Sequence, residues 1–253
     1  MRTTVVTGAA SGIGAAVRAR LEAAGERVIG VDLRDAEVVA DLARPEGRAA
    51  AAAEIRRACG GRLDGVVACA GIGPHVEPAA TIVSLDYFGA VATLADLRDA
   101  LAAGERPAAV AVSSNSSTLP GSDTAIVGAC LAGDENAARR LAGELGGHAA
   151  YAGAKRAVAR WVRRNAPAWA GAGIRLNAVA PGAVETALLR DGLDHPVFGP
   201  AIRGFPIPAG GFGSADQIAA TIAFLLGPDA AFCCGSVFFV DGGSDALFRP
   251  DEY

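Results

Sequence analysis

Short runs of aliphatic and β-branched residues alternate with longer, alanine-rich stretches along most of this chain. The first run, 3–7, is followed by a glycine-rich turn and by a stretch with helical spacing of apolar residues that ends at Gly25. Uninterrupted apolar runs between turn residues are typical of strands buried on both faces, and strands that alternate with helices form parallel sheets. The predicted strands are 3–7, 27–31, 37–40, 63–69, 108–112, 174–180 and 236–240.

Stretches with helical spacing separate these strands. Pro45 suits the first turn of one of them, because the ring of proline has the φ that a helix start requires. The predicted helices are the stretch up to Gly25, 45–59, 83–102, 124–131, 135–145, the segment around residue 151, and 215–226. We therefore predict an α/β fold, in which residues 1–253 form a single domain on a Rossmann-type, doubly wound parallel sheet of about seven strands.

Two segments depart from this alternation. Residues 187–212 are rich in Leu, Phe, Pro and Gly without a clear period, as expected of a lid over a substrate. Residues 119–148 form an insertion with two short predicted helices, and an aspartate, Asp123 or Asp134, is placed to cap each of them. The apolar residues of the insertion are predicted to pack on their own subunit. They are Ile126, Val127, Leu131, Leu141 and Leu145.

The composition narrows the class of partner. A net charge of -4 at pH 7 without any basic block argues against nucleic acid and against a membrane surface. No apolar run approaches the roughly 18 residues of a membrane helix, and the chain starts in a strand-like segment rather than a signal sequence. Five cysteines without a C-x-x-C pair predict reduced thiols, and three isolated histidines predict no metal site. We expect a soluble, unprocessed, cytoplasmic protein.

Three glycines, Gly8, Gly12 and Gly14, lie between the first predicted strand and its helix. Glycines there permit a tight turn and a close approach of the backbone to a pyrophosphate, while the N–H groups of the helix start face the phosphates. Asp32 follows at the end of the second strand, where a carboxylate accepts hydrogen bonds from an adenosine ribose and repels a 2′-phosphate. The predicted cofactor is therefore NAD rather than NADP. Arg34 leaves the NADP alternative open, because it could accommodate that phosphate.

Lys155 is the only lysine in the chain, and it lies four residues after Tyr151. On a helix this spacing puts both side chains on one face, about 5–6 Å apart. A phenol has a pKa of about 10, which must fall by roughly 3 for proton exchange near neutral pH. An ammonium about 4 Å away supplies ~4 kcal/mol at an effective dielectric of ~20. The pair thus predicts a tyrosine that exchanges a proton with an alcohol or ketone oxygen. An ordinary helix face with an extended lysine is the alternative.

These motifs together resemble those of the short-chain dehydrogenase/reductase family, over nearly the full length of the chain. They are Thr7-Gly8-x-x-x-Gly12-Ile13-Gly14, Asp32, Ala70-Gly71, Ser114, Tyr151-x-x-x-Lys155, and Pro181-Gly182 with Thr186. Four further segments are similar to the bacterial hydroxysteroid dehydrogenase/carbonyl reductase group within that family, namely 31–37, 69–74, 87–90 and 149–153. The resemblance implies an NAD-dependent enzyme that interconverts an alcohol and a ketone.

The resemblance also implies a role for each matching residue. Tyr151 would be the acid/base, Ser114 would hydrogen-bond the substrate oxygen, and Lys155 would lower the pKa of the tyrosine and hold the nicotinamide ribose. The residues implied to bind NAD are Gly8, Ser11, Gly12, Ile13, Gly14, Asp32, Leu33, Asp41, Leu42, Ala70, Gly71, Tyr151, Lys155, Pro181, Gly182, Val184 and Thr186.

The chain departs from the family pattern at two places. Ala68 and Cys69 stand where amides are common, and Asp86 occupies the position of a catalytic asparagine. An ionised aspartate accepts hydrogen bonds but donates none, so Asp86 is a catalytic candidate only as an acceptor, for example of a water. It also favours an alternative function, a catalytically impaired dinucleotide-binding regulatory or scaffold protein. An epimerase or dehydratase could use the same tyrosine and lysine.

The apolar residues of the predicted lid favour a bulky apolar substrate, either steroid-like, alicyclic or aromatic. They are Leu188, Leu189, Leu193, Val197, Phe198, Ile202, Phe205 and Ile207. Alternatively, these side chains simply pack the lid onto the core or onto another subunit. Arg190 and Arg203 leave open a substrate with a distal carboxylate.

The position of the insertion bears on the oligomer. In most of the family, the helix of the catalytic tyrosine packs against its counterpart in a neighbouring subunit, and residues 119–148 enter immediately before that helix. In the similar hydroxysteroid group, such an insertion accompanies a dimer formed near the last helix and strand. The resemblance therefore predicts a homodimer rather than the common tetramer.

Overall fold

Seven parallel strands form one sheet in the computed structural model, which describes residues 1–122 and 124–252. The strand order is β3-β2-β1-β4-β5-β6-β7, and every neighbouring pair within the described residues is parallel. The order runs outward from β1 in both directions, so the chain reverses its direction of winding between β3 and β4. Ligands bind at such a reversal, beyond the carboxyl ends of the strands. The predicted fold class is confirmed.

The strands are β1 Thr3–Thr7, β2 Arg27–Asp32, β3 Val38–Val39, β4 Gly65–Ala68, β5 Ala108–Val112, β6 Arg175–Pro181 and β7 Val237–Val240. The helices are α1 Gly12–Ala23, α2 Pro45–Cys59, α3 Ala79–Val83, α4 Ala90–Asp96, α5 Arg98–Ala102, α6 Ala125–Leu131, α7 Glu135–Ala170, α8 Ala187–Asp194, α9 Phe198–Arg203, α10 Ala215–Leu226 and α11 Ser244–Phe248. A π-helical turn, Ser84–Gly89, joins α3 to α4.

The sheet is apolar on both faces because helices cover both. In β1, Val5 belongs to the core on one side of the sheet and Val6 to the core on the other. Helices α2 and α7 supply Ile55 and Val158 to the first core, and α10 supplies Ile222 to the second. This double coverage explains why the strands are runs of apolar residues rather than alternating patterns.

The insertion forms two helices, as predicted. Helix α6 begins after Thr124, and its predicted cap Asp123 lies outside the described residues. Asp134 caps the second helix, since its side chain accepts from the N–H of Ala137 at 2.9 Å. The predicted end near 145 is a kink, where Gly146 has a φ of 83° and the helical chain then continues directly as the segment that carries Tyr151.

The packing prediction for the insertion is wrong at one residue. Ile126 and Val127 are fully buried, and Leu131 and Leu141 are partly buried against the core. Leu145, however, is 50% exposed. It is the last residue before the kink at Gly146, at the end of the helical segment whose earlier residues pack on the core.

The lid, residues 187–212, is more regular than predicted. Thr186 caps helix α8, since its hydroxyl oxygen accepts from the N–H of Leu189 at 3.3 Å. Helix α9 follows after a short turn. Both helices are too short for their periodicity to stand out in the sequence. In the part of the chain that the structure describes, no helix has the length and apolarity to cross a membrane.

Candidate active site

A cavity of about 350 Å³ lies at the carboxyl ends of the central strands. Its walls come from the glycine loop after β1, the loops after β4, β5 and β6, helix α7, and the two lid helices. Thirteen predicted cofactor residues line it: Gly8, Ser11, Gly12, Ile13, Gly14, Ala70, Gly71, Tyr151, Lys155, Pro181, Gly182, Val184 and Thr186. Three of the four predicted catalytic residues line it as well: Ser114, Tyr151 and Lys155.

The glycine loop has a shape that only glycine permits. Gly8 has a φ of +71°, and a Cβ on Gly14 would lie 2.0 Å from the carbonyl oxygen of Gly8. The first N–H groups of α1 therefore stand close behind the loop, and they have no acceptor within the helix. No acidic residue lies in the first turn of α1. This combination fits the pyrophosphate of a dinucleotide.

The carboxylate of Asp32 stands at the end of β2, beside the glycine loop. Its Oδ2 accepts from the N–H of Ala10 at 2.9 Å, and its Oδ1 accepts from the N–H of Leu33 at 2.7 Å. Each oxygen keeps a further lone pair, which suits the hydroxyls of a ribose. Asp32 lies outside the cavity lining, on the open side of the loop.

Three further predicted cofactor residues lie outside the cavity lining. Leu33 is 66% exposed, and Asp41 accepts from the N–H of Ala43 at 3.0 Å. The side chain of Leu42 is packed in the core, so this residue can present only its backbone to an adenine. The predicted adenine contacts thus remain a prediction.

The loop after β4 is tied to β1. The hydroxyl oxygen of Thr7 accepts from the N–H groups of Cys69 and Ala70, both at 3.0 Å. A Cβ on Gly8 would lie 3.0 Å from the Cα of Ala70, so the two turns pack closely. The departures at Ala68 and Cys69 leave these backbone contacts intact, since no side chain from either residue takes part in them.

The side chains of Tyr151 and Lys155 meet one turn apart on α7, as their spacing predicts. The Nζ of Lys155 lies 5.7 Å from the centre of the Tyr151 ring. It donates to the carbonyl oxygen of Val112 at 3.2 Å and lies 3.5 Å from the Oδ2 of Asp86. Ser114, directly beyond β5, lies close enough to the Tyr151 phenol to lower its pKa. The solvent-extended lysine is excluded, because only 4% of Lys155 is exposed.

Burial and neighbouring charges shift the pKa values of Tyr151 and Lys155. Burial raises the pKa of Tyr151 above that of a free phenol, although the Lys155 ammonium and the nearby Ser114 hydroxyl oppose the shift. Lys155 acts in the expected direction, because its ammonium lowers the pKa of the phenol, but burial has the larger effect. Burial also works against the charge of Lys155, but neighbouring Asp86 raises its pKa, so the ammonium stays charged.

The carboxyl of Asp86 lies behind the cavity wall rather than in it. It is fully buried, and its Oδ1 accepts from the N–H of Ile72 at 2.9 Å. Burial raises the pKa of this carboxyl, while Lys155 and the Ile72 N–H stabilise its ionised form. Cys69, on the same side of the lysine, is a neutral thiol because burial raises its pKa to about 12.

Several cavity residues were not predicted. They are Ile72, Pro74, Val112, Asn115, Ser116, Leu119, His148 and Ala201. His148 could have been found, because it lies three residues before Tyr151 and so shares its helix face. Val112 ends β5, and the others lie in the loops after β4 and β5 or in the lid, where the approach to the site depends on the path of segments with no local pattern.

Comparison with known proteins agrees with this architecture. Residues 4–185 match the NAD dependent epimerase/dehydratase family, and residues 145–245 match the family described as enoyl-(acyl carrier protein) reductase. The chain is 44% identical over its full length, and that of the relative, to the 3-alpha-hydroxysteroid dehydrogenase/carbonyl reductase of Comamonas testosteroni.

Two solved structures extend the comparison. The 3-alpha-hydroxysteroid dehydrogenase of Pseudomonas sp. B-0831, complexed with NADH, superposes with a TM-score of 0.98 at 48% identity, covering 99% of this chain and 100% of that one. A short-chain type dehydrogenase/reductase of Mycobacterium ulcerans superposes with a TM-score of 0.73 at 25% identity, covering 99% and 94%. With this sheet order and this full-length identity, the chain belongs to the short-chain dehydrogenase/reductase family.

Proposed function

We propose that this protein is an NAD-dependent oxidoreductase that interconverts a secondary alcohol and a ketone on a bulky apolar substrate. One observation carries the proposal. A single cavity runs from a phosphate-binding glycine loop, past Tyr151, Ser114 and Lys155, to an apolar lid. The relative from Comamonas testosteroni, named a hydroxysteroid dehydrogenase/carbonyl reductase, supports the same reaction class.

Each residue of the central cluster has a separate task in this reaction. The Tyr151 phenol gives its proton to the ketone oxygen in reduction and takes it back from the alcohol in oxidation. Ser114, beside this phenol, donates a hydrogen bond to the substrate oxygen and so orients the substrate towards Tyr151. Lys155, held by Val112 and Asp86, presents its ammonium to the phenol and to the nicotinamide ribose. Bound NAD supplies the hydride acceptor or donor.

The substrate end of the cavity is mainly apolar. Of the lid residues, Leu188, Leu189, Phe198, Ile202 and Phe205 line it. Ile72, Pro74 and Leu119 face them from the other side. Such a lining suits an alicyclic or aromatic ring system. Arg190 and Arg203 do not line the cavity, and Arg203 donates to the carbonyl oxygen of Leu193 at 2.8 Å. A distal carboxylate on the substrate is therefore not supported.

The test is a panel of steroid, terpene and aryl alcohols and ketones, followed by the absorbance of NADH. We expect turnover of at least one cyclic secondary alcohol with NAD. Tight NAD binding without turnover of any member in either direction would contradict the proposal and favour the regulatory or scaffold alternative. Calorimetric titration with NAD separates that outcome from a protein that binds no dinucleotide.

Asp32 is expected to decide the choice of cofactor. Its carboxylate is held beside the glycine loop by the N–H groups of Ala10 and Leu33, where it would repel a 2′-phosphate. We predict that kcat/KM with NAD exceeds that with NADP, and that Asp32→Ala narrows the ratio by about tenfold or more, equivalent to about 1.4 kcal/mol. Arg34→Ala is the matched control, because Arg34 is exposed on the same loop. If the wild type prefers NADP and Arg34→Ala abolishes that preference, Arg34 rather than Asp32 determines the choice of cofactor.

We further propose a homodimer formed through the face of α10 and β7. The insertion covers α7 close to the active site, since a Cβ on Gly153 would lie 3.3 Å from Ile126 of α6. That contact blocks the surface through which most of the family packs two such helices. The face near α10 and β7, in contrast, carries two exposed aromatic side chains, Phe224 and the fully exposed Phe232.

Light scattering after size exclusion tests this assembly. We expect twice the chain mass of 25.3 kDa at micromolar concentration. Phe232→Asp should give a monomer, because it places a charge in the proposed interface without touching the core. Val39→Asp is the control, since Val39 is also exposed but lies on β3 at the opposite edge of the sheet. A stable wild-type tetramer, or a Phe232→Asp variant that remains a dimer, would contradict the proposal.

We also propose a cytoplasmic location. All five cysteines are free, and they include the exposed Cys234. Unpaired thiols of this kind are typical of a reducing compartment.

A further inference from the structure

A buried acid stands directly against the lysine of the proposed active site. Asp86 belongs to the π-helical turn between α3 and α4, and no part of it is exposed. Its Oδ2 lies 3.5 Å from the Nζ of Lys155 and has no hydrogen-bond partner among the described residues. Its Oδ1 is held by the N–H of Ile72 at 2.9 Å. The carboxylate is thus fixed at one oxygen and turned towards the ammonium with the other.

The remaining groups around Lys155 carry no negative charge. The carbonyl oxygen of Val112 accepts from it, and the nearby Cys69 thiol is neutral because burial raises its pKa to about 12. Ser114 reaches Tyr151 from the loop after β5, and His148 lines the same cavity from α7. Among residues 1–122 and 124–252, the one carboxyl group within ion-pair distance of Lys155 is that of Asp86.

The carboxylate of Asp86 weakens the effect of the Lys155 ammonium on the pKa of the Tyr151 phenol. A lone ammonium beside Tyr151 would favour the phenolate, whereas a carboxylate on its far side opposes that effect. At low dielectric, a charge acts beyond its immediate neighbour, so Asp86 acts on Tyr151 as well as on Lys155. Burial has the largest effect on Tyr151, so the pKa of the phenol lies above that of a free phenol.

We propose that Asp86 is a positioning residue that holds Lys155 and offsets its charge, and that it thereby sets the pH at which Tyr151 becomes competent for alcohol oxidation. The inference rests on the proposed function and deepens it. In oxidation, the phenolate takes the hydroxyl proton while the carbinol carbon gives its hydride to NAD⁺, which leaves a ketone, NADH and the phenol. Oxidation therefore needs the ionised tyrosine, and reduction needs the protonated one.

The expected pH dependence follows from the sign of this effect. In the wild type, kcat/KM for alcohol oxidation should rise with pH into the alkaline range, and kcat/KM for ketone reduction should be level at neutral pH and fall where oxidation rises. Asp86→Asn removes the negative charge and keeps an oxygen for the Ile72 N–H. We expect it to move the rise in oxidation to lower pH by about one unit. The fall in ketone reduction should move to lower pH by the same amount, because both profiles report the ionisation of Tyr151.

Glu135→Gln is the matched control. Glu135 forms an ion pair with Arg48 at 2.8 Å, with little exposure on either side chain, at the start of α7 and away from the cavity lining. This variant also removes an acid from a sheltered ion pair. Its stability should fall, but its pH profile should match the wild type.

A spectroscopic titration tests the charge effect without any cofactor or substrate. Ionisation of a phenol is visible in the near-ultraviolet absorbance, and subtraction of the Tyr151→Phe background isolates this one residue. The midpoint of Tyr151 should be lower in Asp86→Asn than in the wild type by about one pH unit. Asp86→Ser is the second variant, in case the asparagine folds poorly, and it should shift the midpoint in the same direction.

Equal midpoints and equal pH profiles in the wild type and the Asp86 variants would overturn the inference, since the carboxyl would then be uncharged or purely structural. A wild type that oxidises no alcohol would instead contradict the proposed function. The absorbance titration would still decide whether Asp86 acts on Tyr151, so the two failures are distinguishable.

Discussion

Tyr151→Phe is expected to lower kcat by about 10²–10⁴-fold in both directions, while the dissociation constant of NAD stays within about twofold of the wild type. The phenol is the group that we propose passes a proton to the substrate oxygen. The predicted cofactor contacts, in contrast, come mainly from the backbone of the glycine loop and from Lys155. Stopped-flow or steady-state rates and calorimetric titration with NAD measure the two quantities separately.

Tyr87→Phe is the control for this variant. Tyr87 is 3% exposed and packs edge-on against Phe88, with ring centres 5.0 Å apart, outside the cavity lining. The same loss of a buried hydroxyl there should leave kcat within about twofold of the wild type. Parallel losses of rate and NAD affinity in Tyr151→Phe would show that the tyrosine supports the structure of the site rather than proton transfer.

Lys155→Arg is expected to lower kcat/KM by about 10²-fold or more, and to weaken NAD binding as well. The Nζ is enclosed by the carbonyl oxygen of Val112 and by Asp86. A Cβ added at Gly71 would lie only 3.1 Å from it, so the space is already filled. A planar guanidinium is larger and would displace the loop after β4 or leave its pair with Asp86.

Arg164→Lys is the control, because it makes the reverse exchange at an exposed position on the same helix. It should leave kcat/KM and NAD affinity at the wild-type level. Rates, NAD affinity and thermal stability of the two variants should be measured together. Near wild-type kcat/KM in Lys155→Arg would show that any cation suffices at this position. It would remove the reason for the single lysine of a chain in which every other basic side chain is arginine.

The sequence alone was enough for those features that depend on local rules. The strands β1, β5 and helices α2 and α10 have the predicted bounds, because each is an apolar or helical pattern between clear turn signals. The glycine loop was predictable for the same reason, since the requirement for glycine at Gly8 and Gly14 arises within one turn. The meeting of Tyr151 and Lys155 required only the helical repeat.

Only the tertiary structure decided the electrostatics of the site, because the pKa of each group depends on the residues that pack around it. The spacing of Tyr151 and Lys155 predicted a lowered phenol pKa, but burial in the folded protein has the larger effect on this pKa. No local sequence pattern links Asp86 to Lys155. The two residues are 69 positions apart in the chain, but the Oδ2 of Asp86 lies 3.5 Å from the Nζ of Lys155. Their contact arises where the turn after α3 packs against α7 and the loop after β4, which places a buried acid beside the lysine.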